Sequence, residues 1–151
     1  MKIGELAKAT HTQVETIRYY EREGLLPEAA RTGSNYRIYT DEHVARLSFV
    51  RYCRRLDMTL DEIRVLLRVK DAPNKNCDQV NDLLDEHIDH VALRINELKA
   101  LECQLKILRE SCRESQLANQ CGILTQLSTA SQHLHEPTAR MGHVHRAHDL
   151  K

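Results

Sequence analysis

DQVNDLLDEHIDHVALRINELKALECQLKILRES, residues 78–111, contains neither glycine nor proline and reads as one unbroken helix. Read in sevens, one row is Cys77, Leu84, Val91, Leu98, Leu105 and Cys112, flanked early by Ile88 and Ile95 and later by Leu101 and Leu108. So narrow and long a stripe is a coiled-coil seam, not the wide face of a globular helix. A helix of this kind cannot bury its seam alone. A second chain is required, and oligomerisation is the first expectation.

Moving towards the N-terminus, residues 71–76 form a polar linker containing Pro73. Before it, Thr59-Leu60-Asp61-Glu62 is a capping box opening a helix with Ile63, Leu66 and Leu67. Thr40 caps a helix carrying Val44, Leu47 and Val50, preceded by the turn Gly33-Ser34-Asn35 and a short strand, Tyr36-Arg37-Ile38-Tyr39. Thr12 and Glu15 form another expected capping box, and the helix they open stops at Gly24. Residues 3–9 make a brief amphipathic segment. Two short helices joined through Thr10, His11 and Thr12, with a strand-bearing wing after them, fit a helix-turn-helix. In that geometry Thr16, Arg18 and Tyr19 lie towards DNA, Tyr36 and Arg37 belong to the wing, and Val14 and Ile17 pack inwards. The competing reading is a small helical bundle with solvated arginines, and the turn lacks the glycine often found there.

The 151 residues suffice for one core of DNA-binding size plus an extended element. Aromatics are only 4%, with no tryptophan, which favours helix over sheet. The formal charge is zero, but residues 1–70 carry 13 Lys/Arg against 10 Asp/Glu and residues 71–151 carry 9 against 12. The mildly basic front half suits a phosphate backbone. No apolar signal region opens the chain and no run approaches a membrane span, so the expected compartment is the cytoplasm, without a membrane partner. Five cysteines in a reducing compartment, an odd number, speak against a disulfide framework. No Ser/His/Asp or paired-carboxylate arrangement recurs, so no enzyme is expected.

The stretches IGELAKAT (3–10), ETIRYYEREGLLP (15–27) and NYRIYTDEHVARLSFVRYCRRLDMTLDEIRVLL (35–67) closely resemble the MerR family of transcription regulators. The likeness continues through the long helix and covers about 130 residues. It implies a mainly α fold, an N-terminal winged helix-turn-helix joined to a long antiparallel coiled-coil dimerisation helix. It also implies DNA contacts from Arg18, Tyr19, Tyr36, Arg37 and Arg54. The family mechanism would follow: a homodimer on an over-long promoter spacer represses without metal. With metal it bends and untwists the DNA so that RNA polymerase engages both promoter elements.

Cys77 and Cys112 stand 35 residues apart, about 52 Å along an intact helix, so one chain cannot place both on one ion. In an antiparallel dimer Cys77 of one protomer falls beside Cys112 of the other. Cys121, nine residues on, can return to the same place through a loop over residues 113–120. The expected site is therefore Cys77, Cys112 and Cys121 across the dimer interface. Three thiolates suit soft or borderline cations and disfavour Mg²⁺ or Ca²⁺. The helix start at Asp78 would lower the pKa of Cys77. The alternative is that these cysteines are small buried hydrophobes. Cys53, in the DNA-binding half, and Cys103, at an outer heptad position, are not expected ligands.

By family resemblance the pattern is similar to that of mercury, lead and cadmium sensors. Cadmium(II) is the first expectation, with Pb(II), Zn(II) and Hg(II) as alternatives and a metal-buffering protein without promoter activity as the rival. Glu62, His87 and His90 with tail histidines His143, His145 and His148 are the candidates for a second metal site, against the plainer reading of a solvated tail. The organisation read from the chain is thus a DNA-binding domain over 1–70 and a linker with dimerisation helix over 71–111. A metal-binding loop with a short helix over 112–131 and a tail without fixed structure over 132–151 complete it.

Overall fold

Tyr39 and Met1 exchange backbone hydrogen bonds, the Met1 ammonium donating to the Tyr39 carbonyl at 2.7 Å and the Tyr39 amide to the Met1 carbonyl at 2.9 Å. This pins the start of the chain to the wing in the computed structural model, which describes residues 1–134. Expectations for the tail beyond residue 134, including His143, His145 and His148, lie outside the described residues. The chain divides into two units, Met1–Val91 and Ala92–Lys151, and the long helix runs through both.

In the first unit, α1 (Ile3–Thr10) packs on α2 (Val14–Arg22) and on α3 (Asp41–Arg55), and α3 packs on α4 (Leu60–Lys70). Leu6, Ile17, Tyr20, Leu25, Tyr39, Leu47, Val50, Ile63 and Leu67 are buried together as the core. Leu6, Ile17, Leu47, Val50, Ile63 and Leu67 follow the apolar periodicity of the sequence, with Ile3, Ala7, Val44 and Leu66 packed half-buried around them. The capping box at α4 is formed: Thr59 Oγ1 accepts from the Glu62 amide at 3.2 Å and Glu62 Oε2 from the Thr59 amide at 2.8 Å.

The expected capping box at Thr12 and Glu15 is not formed. Gln13 is the N-cap of α2, Thr12 Oγ1 donates to the Thr10 carbonyl at 3.2 Å, and Glu15 pairs with Arg18. The connection accordingly spans His11 to Gln13, because α1 continues to Thr10. His11 itself takes the left-handed conformation (φ 49°) that a glycine would otherwise supply, and its amide bonds back to the Lys8 carbonyl. Gly24, at φ 71°, ends α2 as its sequence position indicates.

The wing strand has a partner that alternation did not reveal. β1 (Ala30–Arg31) pairs antiparallel with β2 (Arg37–Ile38), Ala30 opposite Ile38 and Arg31 opposite Arg37. Two residues are too few to show a period.

α5 (Asp78–Glu110) is 33 residues long and buries none of them. Its seam residues Leu84, Ile88, Val91, Ile95, Leu98 and Leu105 are all exposed in the single chain. That surface is compatible with a coiled-coil dimerisation helix. In the second unit, a 3₁₀ turn (Ala118–Gln120), not anticipated in the polar stretch after Cys112, leads into α6 (Gly122–Ser131). Among the described residues no helix is long and apolar enough to cross a membrane.

Candidate DNA-reading face and thiol pair

α2 shows one face to the core through Ile17 and Tyr20 and leaves Arg18 and Tyr19 exposed, with Thr16 half-buried between. Arg18 is held by Glu15 at 3.1 Å, one turn earlier. On the wing, Tyr36 is 69% exposed and Arg37 is exposed beside it. An aromatic ring so far from water-free packing is available to a partner. Arg54, at the end of α3, donates to the Met58 carbonyl at 2.7 Å and lies against the Tyr20 hydroxyl. Burial raises the Tyr20 phenol above its ordinary range, and Arg54 opposes that rise. The first unit therefore presents α2, the wing and the end of α3 as three carriers of exposed polar side chains, each fixed by the core beneath.

In the second unit the structure brings Cys112 and Cys121 together. Their thiols lie close enough to interact, and the neighbouring Cys121 is the main reason the Cys112 thiol is raised above its usual value. Cys112 Sγ also lies 3.4 Å from the Glu114 carbonyl. Cys121 is the N-cap of α6, where the backbone amide of Leu124, with that of Ile123, faces its sulfur and lowers its thiol. Negative charge at a helix N-terminus is favoured by the amides left unpaired there. Gly122 makes the approach possible: a Cβ at this position would collide with the Ser111 carbonyl oxygen. The glycine's importance lay in a contact eleven residues back, which no local pattern discloses.

Cys77 is exposed at the start of α5, its carbonyl accepting from the Asn81 amide at 3.0 Å and its sulfur facing Asn81 Nδ2 at 3.9 Å. Cys53 is buried in the core, where burial raises its thiol, and Cys103 is exposed on α5. No group of three or more metal-ligating side chains gathers among the described residues of the single chain.

Glu62 and His87 also meet. His87 Nδ1 is 3.3 Å from Glu62 Oε1, and Nε2 is 2.8 Å from the Leu56 carbonyl. Flanked by two acceptors, the ring satisfies both only when both nitrogens carry protons. His90 does not join them; it is exposed and faces Glu86 at 4.0 Å.

The arrangement matches known regulators in both sequence and shape. Residues 1–70 match the MerR HTH family regulatory protein model, and residues 44–108 match the MerR, DNA binding model. The chain is 51% identical over 110 residues to the HTH-type transcriptional regulator ZntR homolog of Haemophilus influenzae, covering 73% of this chain and 82% of that protein. It is 40% identical over 126 residues to the mercuric resistance operon regulatory protein of Bacillus cereus, covering 83% and 96%. Among solved structures, the transcription regulator PbrR691 from Ralstonia metallidurans in complex with lead(II) superposes with a TM-score of 0.73 at 50% identity, covering 84% of this chain and 98% of that one. The winged helix-turn-helix, the long helix and these matches agree that the protein is a regulator, not an enzyme. The chain belongs to the MerR family of helix-turn-helix transcriptional regulators, alongside relatives of its metal-responsive type.

Proposed function

We propose that this regulator senses a soft divalent cation, cadmium(II) foremost, through Cys112 and Cys121 of one subunit and Cys77 of the second subunit of an antiparallel homodimer. The observation that carries the reading is the juxtaposition of Cys112 and Cys121, with the Cys121 thiol lowered by the amides of α6. Two thiols already side by side, one of them lowered by helix amides, fit a thiophilic ion and offer little to a hard one. The exposed seam of α5 supports the dimer that the third thiol requires. Relatives named for mercury and a similar structure holding lead(II) support the same chemistry without ranking the metals.

Cys112 and Cys121 of one subunit and Cys77 of the second would hold the ion, which would link the loop at residues 112–121 to the start of the second subunit's long helix. The chain's own residues do the rest. Gly122 lets the loop close, α6 stabilises the thiolate, and α5 connects the thiol end to the DNA-reading unit. Thr16, Arg18, Tyr19, Tyr36, Arg37 and Arg54 form the DNA-reading set. Promoter DNA and RNA polymerase are the working partners, in the cytoplasm. The ion must bind the activating arrangement more tightly than the repressing one, since equal affinity shifts nothing.

Glu62 and His87 are the nucleus of a second candidate site, which His90, His143, His145 and His148 would have to complete. Its formation must displace the bond from His87 Nε2 to the Leu56 carbonyl or the contact to Glu62, because a ligating imidazole nitrogen carries no proton.

The test is transcription in vitro from a metal-efflux promoter of the source organism, with Cd²⁺, Pb²⁺, Hg²⁺ and Zn²⁺ titrated separately. Cadmium should induce at the lowest concentration. Replacing Cys77, Cys112 or Cys121 by serine should each abolish induction and spare DNA binding. Stoichiometric metal binding with no effect on the promoter would favour the buffering role instead.

A further inference from the structure

Between α2 and the wing lies an open cleft of about 330 Å³ lined by Arg18, Arg22, Arg31 and Arg37 with Glu21 and Glu28. Four guanidinium groups against two carboxylates leave the cleft positive. Arg18 and Arg22 sit one turn apart on α2, Arg31 comes from β1 and Arg37 from β2, so three elements converge.

Two features of this convergence have no explanation within the single chain. Arg31 and Arg37 are directly opposite in the antiparallel ribbon and therefore share a face, where like charges destabilise the pair. Arg22 is exposed and makes no ion pair or side-chain hydrogen bond among the described residues. Arg31 has Asn35 Oδ1 at 2.8 Å, a neutral acceptor that leaves its charge uncompensated. Of the two carboxylates, Glu21 is engaged by the Tyr39 hydroxyl at 2.9 Å. An anion in the cleft would relieve the Arg31–Arg37 repulsion and give Arg22 a partner.

We propose that this cleft seats one backbone phosphate of duplex DNA, clamped by Arg22 and Arg31 in addition to Arg18 and Arg37. The inference rests on the DNA-reading role above and deepens it by two residues. A phosphodiester fits better than a base edge. Its two free oxygens accept from several guanidiniums at once, whereas a guanine edge takes one bidentate arginine. The cleft sits where helix and wing meet, so the phosphate holds both at one setting. These contacts position the protein without reading sequence.

The test measures DNA binding by fluorescence anisotropy over a range of KCl concentrations. The probes are a duplex recovered by binding-site selection from a random pool and an unrelated duplex of the same length. Arg22→Gln and Arg31→Gln should each weaken binding to both duplexes by the same factor. Each should also reduce the slope of log affinity against log salt by about one. Arg31→Lys should keep the slope, and circular dichroism checks that each variant folds. An unchanged slope in both Gln variants while the wild type binds overturns the clamp alone, as does a loss confined to the selected duplex. Wild-type protein with no affinity for either duplex overturns the DNA-reading role and the clamp together.

Discussion

The Tyr39 hydroxyl donates to Glu21 Oε1 at 2.9 Å, which ties the end of the wing to the helix that carries Arg18 and Tyr19. Tyr39 is almost wholly buried and Glu21 half-buried, so the bond is partly shielded from water. Tyr39→Phe should cost about 1 kcal/mol of stability, the usual net value of one hydrogen bond. It should also weaken DNA binding, because helix and wing lose their fixed angle. Urea melts and anisotropy titrations measure the two effects separately.

The same residue predicts an alkaline limit. Burial, then the bond to Glu21, push the Tyr39 phenol up to about 12. The unfolded chain releases this proton near the ordinary value of about 10. The stabilisation is therefore intact below about pH 10 and declines as pH rises towards 12. Between pH 9 and 11 the wild type should lose more stability than Tyr39→Phe. Equal losses would show that the phenol does not report on folding.

Gly122→Ala tests the close approach of α6 to the end of α5. In an ordinary helix this change stabilises by up to about 1 kcal/mol. Here the new methyl group meets the Ser111 carbonyl, so the start of α6 must move and carry Cys121 away from Cys112. Metal affinity, followed by thiolate-to-metal charge-transfer absorption, should fall about tenfold or more. Affinity for DNA without metal should stay as it was.

The two thiols of the pair should also differ in reactivity. Cys121 is lowered by the amides of Leu124 and Ile123, and Cys112 is raised by the neighbouring Cys121 thiol. As pH increases, Cys121 reaches the reactive thiolate first. Limited iodoacetamide treatment of metal-free protein, read by peptide mass spectrometry, should label Cys121 ahead of Cys112. The order should reverse or vanish if the helix start does not stabilise the thiolate.

His11 occupies a left-handed position that costs a non-glycine residue about 1 kcal/mol or more. His11→Gly should raise the stability of the first unit by several tenths of a kcal/mol. The gain is limited by the extra freedom glycine has when unfolded. A thermal melt showing lower stability would mean that the His11 side chain contributes more than the strain it carries.

Periodicity was enough for α3, α4, α5 and most of the core, because a helix writes its buried face into every third and fourth residue. The capping box at Thr59 and Glu62 was equally legible, since both partners lie within one turn. The same pattern at Thr12 and Glu15 misled, because Thr12 bonds back to Thr10 and Gln13 takes the cap. β1 escaped notice because two residues carry no alternation, and Arg22 and Arg31 because their meaning arises only when helix and ribbon face each other.

What the order of residues determined alone is whatever depends on neighbours along the chain: the helices and the unsatisfied seam of α5. Tertiary structure decided the rest. It folded residues 113–120 so that Cys112 and Cys121 lie near each other, aimed the amides of α6 at one sulfur, set Glu62 against His87 without His90, and gathered four arginines from α2, β1 and β2. Electrostatic and hydrogen-bond energies depend on distances through space, and those distances exist only once the chain has closed on itself.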